Sequence, residues 1–354
     1  MRPTHANPPS RFSSTHLIYD EDLGLPEVPV TLVEDASRSI VSKNDSPDVG
    51  FTYSVNPYRG CFHGCAYCYA RPTHENLGYG AGTDFERTIV VKRDAPKLLR
   101  EAFEKRSWQG ELVVFSGVTD PYQPIERDLG LTRACLEVCA EYKNPVGIIT
   151  KSVLVERDAD LLAEIARKAG ARVTVSIPFS DAEVARAMEP YVPTPGRRLK
   201  TIAVLAAAGV PVGISVSPLV PGLGEDGLAE LLERAAAAGA THTFAVALRL
   251  PGNVREVFLE RLDANLPLRA KKVRARLREM HGDSLYNAQF LVRQRGQGTY
   301  ANVLRAMFES AAKRAGLSLT MDTELAADAA DRKSAFERPP STKPGQLSLF
   351  GSSR

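Results

Sequence analysis

Three cysteines, Cys61, Cys65 and Cys68, stand within the run NPYRGCFHGCAYCYARP that extends from Asn56 to Pro72. A structural zinc or an ordinary iron–sulfur cluster takes four protein ligands, so three thiolates in a Cys-x3-Cys-x2-Cys pattern leave one metal position open to bind and activate a substrate. Zinc is the competing reading, but zinc ligands usually come as two Cys-x2-Cys halves separated by a dozen or more residues. His63 lies between two of the cysteines and His74 six residues beyond the last. Both read as local hydrogen-bonding residues rather than as a fourth ligand. Cys135 and Cys139, at helical i, i+4 spacing in LTRACLEVCAEY, read as small buried thiols on an apolar helix face, with a redox pair as the alternative.

The elements that must position this loop alternate short β-branched runs with helical patterns, the order of a parallel α/β sheet. Strands are expected at Phe51–Val55, Leu112–Ser116, Val146–Thr150, Arg172–Ile177, Pro211–Val216 and Thr243–Leu248. The fold class that follows is α/β, a partial (β/α)6 TIM-like barrel with flexible N- and C-terminal extensions. In such barrels chemistry gathers at the carboxyl ends of the strands. The cysteine loop follows the first strand, as that rule requires. Thr119 and Asp120 lie in the loop after the second strand, Lys151 ends the third and Ser176 ends the fourth. Their bland readings are an Asp-Pro turn, a surface lysine and a backbone-satisfied serine.

The cysteine spacing and its surroundings resemble the radical-SAM enzymes. That resemblance implies three cysteines holding a 4Fe-4S cluster, a fourth iron chelating S-adenosylmethionine (SAM), and reductive cleavage of SAM to a 5′-deoxyadenosyl radical. It also implies an external electron donor such as flavodoxin or ferredoxin. Within the superfamily, the chain is similar to the spore photoproduct lyase family, whose members reverse a thymine dimer lesion in DNA. The shared elements are CxYCY from Cys65 to Tyr69, Thr119-Asp120, Thr150-Lys151 and Ser176, spread over Asn56 to Pro221. The resemblance implies that Thr119, Asp120, Lys151 and Ser176 face the cofactor, with Thr119 and Asp120 offering oxygens to its amino group and Lys151 its charge to the carboxylate. It places Tyr67 and Tyr69 beside the cluster and the radical path. One departure stands out: the lyases carry a hydrogen-donating cysteine in the loop after the second strand, and this chain reads Ser116-Gly117-Val118 there. Tyr69, Tyr67 or a displaced thiol then does that work, or the reaction differs.

The ends of the chain carry other signals. Residues Met1 to about Pro47, rich in Pro, Ser, Asp and Arg, read as a loosely ordered extension, and 48–264 as the barrel core. From Leu266 to Leu317 there are eleven Lys/Arg against three acids, so 265–320 reads as a basic helical extension suited to DNA phosphates, or else as a solvated face. Tyr286, Phe290 and Tyr300 in that stretch are suited to packing, with base stacking as the alternative. Residues 321–354 read as a flexible tail. It ends in Gln346-Leu347-Ser348-Leu349-Phe350, which is similar to the pentapeptide by which bacterial polymerases and repair proteins dock on the DNA sliding clamp. With no run of about eighteen apolar residues and no apolar leader, neither membrane insertion nor export is expected. Five cysteines, three of them committed to one site, argue against a disulfide scaffold and for a reducing cytoplasm. The expected function is a radical-SAM enzyme acting on DNA in repair or base modification and recruited by the clamp. The alternatives are an enzyme acting on RNA, protein or a small molecule, and a non-catalytic redox sensor.

Overall fold

Apolar runs such as VGIIT and ARVTVS become strands because, buried on both faces, their backbone groups find partners only in neighbouring strands. The computed structural model describes residues 30–319 and 334–340. Its strands are β1 (Thr31–Glu34), β2 (Val41–Lys43), β3 (Tyr53–Val55), β4 (Tyr58–Arg59), β5 (Thr88–Val91), β6 (Val113–Phe115), β7 (Val146–Thr150), β8 (Ala171–Ser176), β9 (Val212–Leu219), β10 (His242–Ala247) and β11 (Ser318–Leu319). Eight of them form one sheet in the order β11-β10-β9-β8-β7-β6-β3-β2, and β1-β5-β4 form a second. The six central strands from β3 to β10 run parallel, each in the place expected of it, and make the partial barrel.

Alternation along the strands sorts the two faces of the sheet. Val146, Ile148, Val173, Val175, Ile214 and Val216 point outward and pack with Leu136, Leu162, Ile202 and Leu232 of the surrounding helices. The inward face is more polar. One cross-strand row reads Ile149, Thr174, Gly213, His242, and the row above it Ser176, Ser215, Phe244. Gly213 has no side chain because the His242 ring fills the space: a Cβ there would lie 2.3 Å from Nε2. His242, held neutral by burial with a pKa lowered to about 3, thus helps close the barrel floor and leaves the rim above it open.

The described parts of the two ends carry ordered contacts. Residues 30–47 carry β1, paired with β5, and β2, paired with β3. Both are largely exposed edge strands, so hydrogen bonds hold them without an apolar pattern in the sequence. In the tail, residues 334–340 dock at the floor side of the barrel: Phe336 packs 5.9 Å from the Phe103 ring and 6.1 Å from Tyr142. Arg338 donates to the carbonyls of Phe103, Lys105 and Trp108. The helices Pro267–His281 and Gly298–Arg314 share the barrel's outer core through Met280, Ala301, Leu304 and Phe308. Among the described residues no helix is long and apolar enough to cross a membrane.

Candidate active site

The cysteine loop leaves β4 through Gly60, whose positive φ of 77° suits glycine and whose Cβ would meet the Thr88 carbonyl at 2.8 Å. Cys61 N–H then donates to the Phe85 carbonyl at 2.9 Å and Ala66 N–H to the Met188 carbonyl at 3.0 Å. The fully buried Arg71 guanidinium clamps the loop from within. It donates twice to the Cys65 carbonyl, at 2.8 and 3.1 Å, to the carbonyls of Ala81 and Gly82, and to the buried Glu86 at 2.6 Å. Five donors in a rigid fork make arginine suited to such a post.

Cys61 and Cys65 are buried, Cys68 is partly exposed, and all three are free thiols within electrostatic range of one another. Burial pushes Cys65 well above the ordinary thiol value, and burial together with Cys61 raises Cys68 to about 11. Three free thiols crowded into one loop are a donor set for a cationic centre, since a bound metal deprotonates a coordinating thiol outright. Among the described residues no three His, Cys, Asp or Glu side chains converge on a single-ion site. A cubane cluster does not require it, because each cysteine meets a different iron. The donor set therefore fits a 4Fe-4S cluster.

Around the loop the strand ends form one connected network. Asp120 Oδ1 accepts from Thr150 Oγ1 at 2.7 Å and from Tyr122 N–H at 2.9 Å, while Oδ2 accepts from Lys151 N–H at 2.7 Å and lies 3.4 Å from His63 Nδ1. Burial pushes this carboxyl up, yet His63 and the hydrogen bonds outweigh it and hold the pKa below the ordinary range. Lys151 Nζ donates to Ser176 Oγ at 2.6 Å and to the Ser217 carbonyl at 3.2 Å, and lies 3.6 Å from Glu189 Oε1. Glu189, buried, also takes the Tyr67 hydroxyl and the buried Arg198 at 2.6 Å.

The structure brings Cys61, Cys65, Cys68, Thr119, Asp120, Lys151 and Ser176 to one rim, where Thr119 and Asp120 bond to the protein's own groups. Both Asp120 oxygens accept from protein donors, as a carboxylate largely removed from water requires. Thr119 donates to the Gly60 carbonyl at 2.6 Å and accepts from Gln123, so it fastens the second loop to the cysteine loop. The two tyrosines part company: Tyr67 is buried, bonded to Glu189, and Tyr69 is 50% exposed. His63 is a hydrogen-bonding residue, and His74 sits buried against Tyr79 and Phe85, its pKa lowered to about 4 by burial. Cys135 and Cys139 lie in the helix layer outside the sheet. Arg71, Glu86, Gln123, Glu189 and Arg198 were missed. The only hint for Arg71 was a charge three residues after the last cysteine.

Residues 55–235 match the Radical SAM superfamily, a span of more than half the chain. The chain belongs to the radical SAM superfamily. This radical SAM enzyme is 39% identical over 233 residues to an uncharacterized protein of Mycobacterium tuberculosis, covering 65% of this chain and 68% of that protein. It is 31% identical over 174 residues to an uncharacterized protein of Methanocaldococcus jannaschii, covering 49% and 62%. Among solved structures it is similar to a spore photoproduct lyase variant with bound AdoMet and dinucleoside spore photoproduct, with TM-score 0.58, 20% identity, and 82% and 81% of the two chains covered. A spore photoproduct lyase complexed with dinucleoside spore photoproduct gives TM-score 0.56 at 20% identity over the same shares. At that identity the likeness establishes the fold. Membership of the superfamily implies a 4Fe-4S cluster and SAM.

Proposed function

We propose that this radical SAM enzyme acts on DNA, in repair or base modification. The observation that carries the reading is the reach of the fold likeness: it extends past the superfamily core at 55–235 to 82% of the chain, and the structures it matches include ones holding a dinucleoside lesion. The exposed Lys271 and Lys272 on the helix Pro267–His281 supply cations of the kind a phosphate backbone meets. Tyr286 and Tyr300 are occupied in packing, Tyr300 bonded to Glu225 under Arg276, whereas Phe290 is 51% exposed.

In this reading Cys61, Cys65 and Cys68 hold the cluster. With SAM bound there, the cluster would supply one-electron reductive cleavage of SAM to methionine and a 5′-deoxyadenosyl radical, the electron coming from an external donor such as flavodoxin or ferredoxin. Lys151 would pair with the SAM carboxylate and Ser176 would meet its ribose. Asp120 orients Thr150 and Lys151 and ties them through His63 to the cluster loop. A base inside a duplex must be extruded to reach such a site. With Ser116-Gly117-Val118 in place of a loop thiol, Tyr69 is the side chain beside the cysteines free to pass its hydroxyl hydrogen to a product radical, since the Tyr67 hydroxyl is engaged by Glu189. The pentapeptide Gln346-Leu347-Ser348-Leu349-Phe350 lies outside the described residues. Its sequence supports recruitment by the sliding clamp.

The test is anaerobic turnover of the reconstituted enzyme with dithionite, measuring 5′-deoxyadenosine in the presence of ultraviolet-irradiated DNA, intact DNA and RNA. Stimulation by irradiated DNA is expected. Equal response to all three, or to none, sinks the DNA reading. For the clamp, a peptide spanning Pro344 to Arg354 should bind the purified clamp with roughly micromolar affinity, and replacing Leu349 and Phe350 with Ala should abolish binding.

A further inference from the structure

Arg249 follows β10 at its carboxyl end, and its guanidinium carbon lies 5.8 Å from the centroid of the Tyr69 ring. Tyr69 immediately follows Cys68 in the loop that leaves β4, the short strand just after β3. Because β3 and β10 stand at opposite ends of the barrel arc, this contact crosses the mouth of the open barrel. Asn253 Nδ2 donates to Glu75 Oε1 at 2.5 Å across the same gap. The other cations around the mouth each have a carboxylate: Lys151 and Arg198 share Glu189, and Arg71 holds Glu86. Arg249 forms no ion pair among the described residues, and its Nε is buried without a hydrogen-bond partner. On the adjoining strand Ser217 Oγ is likewise buried and unpartnered.

A half-buried guanidinium without an anion is costly to hold, and an incoming anion removes that cost. The planar fork matches two phosphate oxygens, and a half-exposed tyrosine ring beside it offers a stacking face to a base. We propose that Arg249 and Tyr69 form a nucleotide seat at the barrel mouth, the guanidinium binding the phosphodiester next to the target nucleotide and the Tyr69 ring supporting its base. The seat rests on the DNA reading above and adds to it the residue that registers the substrate against the cluster.

The probe is a short fluorescein-labelled single-stranded oligothymidylate, titrated by anisotropy against the reconstituted enzyme over a range of KCl, alongside the same oligomer with an uncharged methylphosphonate backbone. Arg249→Gln should weaken binding of the charged oligomer about tenfold, as the loss of a charge-assisted hydrogen bond predicts. It should lower the slope of log K against log salt by about 0.7, the share of one phosphate on a single strand. The uncharged oligomer should bind wild type and variant alike. Arg249→Lys, which keeps the charge but not the fork, should retain the wild-type slope with a smaller loss, and it carries the test should the Gln variant fail to fold. Wild-type affinity and slope in Arg249→Gln overturn the seat and leave the DNA reading standing. A variant that loses SAM affinity instead assigns Arg249 to the cofactor carboxylate and overturns it too. Absence of binding by the wild type brings down the DNA reading itself, and the seat with it.

Discussion

Lys151 Nζ lies 3.6 Å from Glu189 Oε1, with Ser176 Oγ at 2.6 Å on the same ammonium. An incoming carboxylate at Lys151 therefore takes the place of a protein carboxylate, and Glu189 is not stranded by the exchange because Arg198 holds its other oxygen.

Replacement of Lys151 by Ala is accordingly expected to lower SAM affinity by roughly tenfold or more, the scale of one charge-assisted pair, without changing iron content. Calorimetric titration of SAM beside an iron assay reads both. Unchanged affinity would return Lys151 to a purely structural role with Glu189.

Glu189 sets a pH dependence. Burial pushes its carboxyl up, but Arg198 and Lys151, with the Tyr67 hydroxyl, outweigh burial and hold the pKa below the ordinary 4.5. A carboxyl lowered on folding contributes stability that is fully present above the unfolded value and is lost as pH falls through the folded one. The gap in Tm between wild type and Glu189→Gln should therefore be widest at neutral pH and narrow below pH 4.5. A gap that stays constant, or widens in acid, contradicts the assignment.

Arg71→Ala removes every donor from the Cys65 carbonyl clamp and strands the buried Glu86. Breaking a buried pair in this way costs about 3–5 kcal/mol. Thermal melts should show that loss, and iron incorporation should fall with it. Arg71→Lys should recover little, since a single ammonium does not reproduce the fork.

Charge reversal at Lys271 and Lys272 should reduce duplex DNA affinity and lower its salt slope by about 0.9 for each phosphate no longer neutralised. Arg274 is the informative control: it is tied to Asp263 by two hydrogen bonds, at 2.7 Å in one of them, so reversing it disturbs the helix as well as the surface. Filter binding across a salt series distinguishes the two.

The six barrel strands were legible because each is an apolar run flanked by helical periodicity, and the cysteines because their spacing is local. What escaped notice joins residues distant in the chain. Glu189 meets Tyr67 across 122 positions, and Arg71 reaches Glu86 fifteen residues on, with no sequence pattern to announce either. The protein donors around Asp120 were not legible either, since the spacing that puts a carboxylate on a loop does not reveal which donors the fold will aim at it. β1 and β2 went unseen for the opposite reason: as exposed edges they need no apolar code.

Gly110 owes its identity to a residue far down the chain. A Cβ there would lie 2.2 Å from that of Phe336, so the floor of the barrel is shaped to receive the docked segment. Trimming the protein back to Leu319 would uncover the faces of Phe103 and Tyr142 together, a sticky aromatic patch inviting self-association. Anyone wishing to remove the clamp-like pentapeptide cleanly should cut after Pro340, because a shorter protein would report on its own aggregation before it reported on any partner.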